Sequence, residues 1–130
     1  MRQDHPAAAA ETLDLREWLA SPHVVVSGRG DPRGSVDAAL ERVGRNRRVA
    51  VVAPTFLYAL ELLNGSDLFG TFPSGVTASL AAAHLVSRTP PIELEPVSLR
   101  LVRHRRTDGD PAVKLIARLV RGIVRELTKS

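Results

Sequence analysis

Four histidines, nine serines, seven threonines and fourteen carboxylates are the groups with which this 130-residue chain could do chemistry. His5, His23, His84 and His104 include no pair at the i, i+4 spacing that sets two metal ligands on one helix face, and no cysteine is present to join them. A metal site is therefore not expected. No serine sits in a Gly-x-Ser-x-Gly elbow or beside an evident base, and the carboxylates are not paired near the glycine-rich loops. The pattern excludes nucleophilic and general acid–base catalysis as the first expectation, so the chain reads as a non-enzyme. The loop Gly28-Arg29-Gly30-Asp31-Pro32-Arg33-Gly34 follows a strand-like run, but its spacing is not that of a dinucleotide loop. The next run ends in Ala53-Pro54, where ribose binding would call for an acid. No cofactor is expected, and the Arg29-Gly30-Asp31 triplet is read as chance.

Binding is the chemistry that remains. Three loops carry polar or aromatic side chains just after a strand-like run and just before a helix start. They are residues 27–35, beginning at Ser27; Pro54, Thr55 and Phe56; and residues 71–74, beginning at Thr71. In a parallel α/β sheet, ligands sit outside the C-terminal ends of the strands. Helix N-termini there offer free N–H groups and a positive dipole end. The physics alone points to a small, carboxylate-bearing ligand. His23 opens the first strand and has two readings, a buried structural imidazole or a group facing the ligand.

The elements that must position these loops alternate strand and helix. Asp14 is a good N-cap for a short helix, Glu17 completes a capping box, and Leu13 and Trp18 have the spacing of a hydrophobic staple. The runs 23–27 and 49–53 are β-branched, bounded by Pro and Gly, and read as buried strands. Between them Ser35 is expected to cap a helix with Val36, Ala39, Leu40 and Val43 on one face, stopped by Gly44. Thr55 caps a helix carrying Phe56, Leu60 and Leu63, which Asn64-Gly65 ends. Residues 68–72 form a third, weaker strand, and Pro73-Ser74 start a helix with Val76, Leu80 and Ala83 inside. Three prolines mark residues 88–96 as a connection. Residues 97–103 alternate with period two, as a strand exposed on one face does. A last helix starts at residues 108–111. Val113, Ile116, Ala117, Val120, Ile123, Val124 and Leu127 make its apolar stripe, and Lys114, Arg118, Arg121 and Arg125 lie opposite. Such a stripe should be covered by the chain's own sheet, swapped between copies, or used to dimerise. The expected class is α/β with a largely parallel, covered sheet.

Composition agrees with one compact domain. Apolar residues make up 44% and charged residues 25%, which is ordinary for a globular protein. The absence of cysteine, of a basic-then-apolar leader and of a membrane-length apolar run makes a cytoplasmic location the expectation, with no membrane partner. The net charge of +4 is mostly arginine. Its clusters, Arg45, Arg47 and Arg48, and Arg100, Arg103, Arg105 and Arg106, lack the interleaved aromatics of single-strand binders, so direct nucleic-acid binding is not expected.

Read together, the segments have an order of their own: Arg2-x-x-His5-Pro6; Pro22-His23-Val24-x-Val26-Ser27; Gly34-x-Val36-Asp37-x-x-Leu40-x-x-x-Gly44-x-x-Arg47-Arg48-Val49; Val52-x-Pro54-x-Phe56; Ser66-Asp67-Leu68-x-x-Thr71-x-Pro73; and Leu99-x-Leu101-x-x-His104, then Asp110-Pro111. This succession resembles the effector-binding domain of LysR-type transcriptional regulators, and within it the branch that senses aromatic acids and plant phenolics. The resemblance implies a periplasmic-binding-protein type II-like fold, two α/β subdomains joined by crossover strands with a small-molecule effector between them. On that template residues 1–12 end the first crossover and residues 13–96 form the second subdomain. Residues 97–130 supply the return crossover strand and a C-terminal helix. The resemblance implies that His23, Pro54, Thr55 and Phe56 line the effector cleft, with Ser27 and Thr71 as neighbours. Some relatives carry histidine where Thr55 stands, and often tryptophan where Arg103 stands. The implied partners are a small-molecule effector and a second copy of the chain. DNA would be bound only through a winged helix-turn-helix, which is not found in this chain. The alternative is a stand-alone α/β interaction or oligomerisation module that binds neither ligand nor DNA.

Overall fold

The computed structural model describes residues 1–79, 84–98 and 100–127. They divide into two compact units, Met1–Glu95 and Pro96–Ser130.

The first unit is built on three parallel strands, β1 (His23–Val26), β2 (Val49–Ala53) and β3 (Phe69–Gly70), in the order β2-β1-β3. β1 is central, so its side chains are buried on both faces, which is why a continuous His-Val-Val-Val run serves there. It pairs Val24 with Val51, Val25 with Val52 and Val26 with Ala53, after an irregularity between His23 and Val24. β2 was expected to be buried. It is an edge strand, and only Ala53 is fully buried. β3 is shorter than the expected run because Gly70 ends it.

Helices α1 (Leu15–Ala20), α2 (Ser35–Arg42), α3 (Phe56–Asn64) and α4 (Ser74–Ser79) cover the sheet or lead away from it. The start of α1 is as expected: the Asp14 carboxylate accepts from Glu17 N–H, and Glu17 reaches back to Asp14 N–H. For α2 the cap differs. Gly34, not Ser35, is the N-cap residue, and the Asp37 carboxylate accepts the Gly34 N–H at 2.8 Å. Asp37 takes over because it is itself clamped by Arg47, which donates from Nε at 2.9 Å and Nη2 at 2.7 Å. Gly44 ends α2 in the left-handed region, φ +67°. Its N–H goes to Glu41 and that of Arg45 to Leu40, a Schellman closure.

Alternation along the strands gives the sheet two cores. Met1, Ala8, Leu13, Trp18, Val36, Leu40 and Phe69 form one. Val24, Ala53, Ala59, Leu63 and Leu68 form the other. Beside the sheet, residues 1–3 run antiparallel to residues 84–86, with Arg2 bridged to Leu85, Gln3 N–H bonded to His84 and Val86 N–H to Met1. A 3-10 turn, Pro6–Ala9, follows. Val76 lies in α4 as expected, while Leu80 and Ala83 fall outside the described residues.

In the second unit, the described residues of 97–103 form no strand. Val97, Leu101 and Val102 are all exposed, so alternation in the sequence has no ladder or core to sort it. A 3-10 turn, Arg105–Thr107, precedes α5 (Pro111–Leu127), whose first turn is capped by the Asp110 carboxylate at Ala112 N–H.

Candidate functional site

Because all three strands are parallel, their C-terminal ends lie at one edge of the sheet, and five of the six expected site residues follow those ends. Ser27 continues β1. Its N–H donates to the Ala53 carbonyl at 2.9 Å, tying the ends of β1 and β2 together. Its hydroxyl accepts from Asp31 N–H at 3.0 Å and so shapes the loop that Gly30 turns at φ +77°. Pro54 and Thr55 follow β2. Thr55 caps α3 by accepting the Tyr58 N–H at 3.5 Å. Phe56, in the first turn of α3, stays 40% exposed instead of joining the core. Its ring meets Phe72 edge-on, with centroids 5.9 Å apart. Thr71 follows β3, and its hydroxyl is buried without a hydrogen-bond partner among the described residues.

His23 is the exception. It is the first residue of β1, so the strand separates it from Ser27, and it is 0% exposed. Its Nε2 donates to the Trp18 carbonyl at 2.9 Å. Its ring meets Trp18 edge-on at 5.0 Å and Phe69 at 5.8 Å. Burial drives the imidazole down to about 4; the bond to Trp18 and nearby Asp37 push it up, and Arg47 pushes it down. Near neutral pH it is an uncharged core group. The structure gives it the buried, structural reading and does not bring it to the rim.

Reasoning from sequence missed Phe72, Leu57 and Tyr58. The first is the ring partner of Phe56; the other two are exposed on the first turn of α3. The signal for Phe72 was its place one residue past Thr71, where it was read as part of a strand. On the β3 side of the unit lies a cavity of about 300 Å³, lined among others by Trp18, Leu60, Phe69, Thr71, Phe72 and Arg88. It shares only Thr71 and Phe72 with the strand-end rim. Among the described residues no group of three His, Asp or Glu side chains is placed to hold a metal ion. No helix there is long and apolar enough to cross a membrane.

The family described as LysR substrate binding domain matches residues 1–124. The chain belongs to the LysR substrate-binding domain family. This substrate-binding domain is 30% identical over 111 residues to the HTH-type transcriptional activator NagR of Ralstonia sp, covering 85% of this chain and 36% of that protein. It is 30% identical over 126 residues to the HTH-type transcriptional regulator LinR of Sphingobium indicum, 95% of this chain and 41% of that protein. Among solved structures it resembles the regulatory domain of MexT, a transcriptional activator in Pseudomonas aeruginosa. The TM-score is 0.72 at 33% identity, covering 92% of this chain and 59% of that one. The LysR-type chain thus spans 36% and 41% of the length of these two curated relatives. Its alternating α/β order and open parallel sheet agree with the expected fold class. The relatives are named as transcriptional regulators, not enzymes, in line with the expectation of no catalysis.

Proposed function

We propose that this LysR-type substrate-binding domain senses a small organic molecule, a carboxylate or an aromatic acid, at the strand-end rim. It does so as part of a cytoplasmic transcriptional regulator whose DNA contact is made by a winged helix-turn-helix outside this chain. The observation that carries the reading is the convergence of Ser27, Pro54, Thr55, Phe56 and Thr71 at one end of a parallel sheet. The ligand's ring would lie against the exposed face of Phe56, and its polar group would meet the Ser27 and Thr55 hydroxyls and the first N–H groups of α3. His23 supports the rim from inside the core. In this reading residues 1–12 end one crossover, residues 13–96 supply one wall of the cleft, and residues 97–130 return toward the other.

Thermal shift and calorimetry with a panel of aromatic carboxylates test it. At least one should bind saturably and lose tenfold or more in affinity in both Thr55→Ala and Phe56→Ala. Binding indifferent to both substitutions would overturn the assignment of the rim. A second reading, a self-associating module, is favoured by the exposed apolar residues of α5, and its test is the solution mass.

A further inference from the structure

The cavity on the β3 side lies apart from the rim except at Thr71 and Phe72, which belong to both. Most of its wall is apolar: Leu13, Trp18, Leu60, Leu63, Phe69, Leu85 and Val86 contribute to it. Its volume of about 300 Å³ lies at the lower end of the roughly 300–1,000 Å³ typical of small-molecule sites. An apolar cavity half that size holds a benzene ring. Thr77, Ser87 and Met1 also line the wall, and two further polar features bear on a ligand. One is the Thr71 hydroxyl, buried with no partner among the described residues. A buried hydroxyl left unbonded is costly, so such groups are normally satisfied by protein, water or ligand. The other is Arg88. Its guanidinium donates to the carbonyls of Ala10 at 2.9 Å, Ser87 at 3.0 Å and Ala8 at 3.1 Å, one bond from each nitrogen. Three of the five N–H donors are thereby spent, two remain, and no carboxylate among the described residues neutralises the charge.

Phe72 separates this cavity from the rim. A Cβ on Gly70 would stand 2.5 Å from two carbons of the Phe72 ring and 3.1 Å from Leu63 Cδ1. Only glycine at position 70 therefore lets the ring lie over the strand. On its other side Phe72 meets Phe56. The two sites share the Phe72 ring and Thr71.

We propose that this cavity is a second ligand site, taking a single-ring carboxylate whose ring fills the apolar space and whose charge is met by Arg88 and the Thr71 hydroxyl. The inference does not rest on the rim's role: of the five rim residues only Thr71 also lines the cavity, and Ser27, Pro54, Thr55 and Phe56 do not. Trp18 is the chain's only tryptophan and lies in the cavity wall, so its fluorescence reads occupancy directly.

Titrating the full 130-residue chain with benzoate, and separately with benzyl alcohol as the neutral isostere, tests the proposal. Benzoate should change Trp18 emission saturably and bind at least tenfold tighter than benzyl alcohol. Thr71→Val should weaken it several-fold, and Val86→Phe, which fills the space, should abolish it. Arg88 also pins the 3-10 turn through Ala8 and Ala10, so its removal could unfold the unit. Arg88→Lys keeps the charge and should retain benzoate selectivity over benzyl alcohol. Thr55→Ala, which weakens the rim, should leave the Trp18 titration in place. Silence of Trp18 at millimolar benzoate, equal affinity for the alcohol, or a signal lost in Thr55→Ala but kept in Val86→Phe would each overturn the site.

Discussion

At the scale of single residues, His23 and Arg47 decide most about how the rim is held. A His-Val-Val-Val run announces a buried strand, but it does not say whether the imidazole at its head turns outward to a ligand or inward to a carbonyl. Its environment decides: Trp18 and Phe69 flank the ring, and the Trp18 carbonyl takes its only proton. With the folded-state value near 4 against an ordinary 6.5, the unfolded chain binds a proton in this interval that the folded chain refuses. Stability therefore rises with pH. The contribution of His23 is complete above about pH 6.5 and is lost as pH falls toward 4, on the order of 3 kcal/mol in all. Urea melts between pH 4 and 7 should show that slope, and His23→Leu should flatten it; an unchanged slope would place the titration elsewhere. Arg47 is 3% exposed and grips Asp37 with two bonds. Burial raises the Asp37 carboxyl, but the bonds from Arg47 and Gly34 more than offset it and hold the group below its usual range. Breaking such a pair leaves the part-buried Asp37 carboxylate without its cation, so Arg47→Met should cost about 1–3 kcal/mol in denaturant melts, and Asp37→Asn should in addition fray the start of α2.

At the scale of elements, what could be read from sequence was what local chemistry specifies. The Asp14–Glu17 box, the Thr55 cap, the proline-led start of α5 and the glycine stop of α2 were all visible because each depends on residues within one turn. The Ser35 cap was misplaced because its competitor, Asp37, is recruited by Arg47 ten residues away. Burial of β2 was overstated because a β-branched run looks the same in a central and an edge strand, and only sheet order tells them apart. The alternation of residues 97–103 predicted a strand, yet alternation becomes a strand only where another strand supplies hydrogen bonds. The rim loops could be placed at one edge because parallel order follows from strand–helix alternation. The Phe56–Phe72 contact could not, since nothing in either loop names the other. Gly44 gives this scale its test. At φ +67° a Cβ is strained, so Gly44→Ala should cost roughly 1–2 kcal/mol and Gly44→Asn less, measured by thermal or urea unfolding.

At the scale of the whole molecule, α5 raises the question of what surrounds the chain. Its apolar residues span a wider arc than a single stripe. Ala117 is buried and Val113, Val120 and Val124 are half-buried, whereas Leu115, Ile116, Leu119 and Ile123 are each more than half exposed. At 100° per residue these two sets lie side by side on one helix, so α5 presents a covered seam and an open one. Four large aliphatic side chains in one contiguous strip exceed the scattered exposure that soluble surfaces tolerate. The cationic stripe of Lys114, Arg118 and Arg121 lies on the remaining face, where it would not oppose a second copy docked on the open seam. The chain is therefore expected to self-associate through α5. Sedimentation velocity should show mass rising with concentration in the micromolar range. Ile116→Glu with Ile123→Glu should return it to a monomer without lowering the melting temperature measured at the lowest concentrations. A wild-type chain that stays monomeric at hundreds of micromolar would show that the open seam tolerates water, and the self-associating reading would then fall while the rim and the cavity stood untouched.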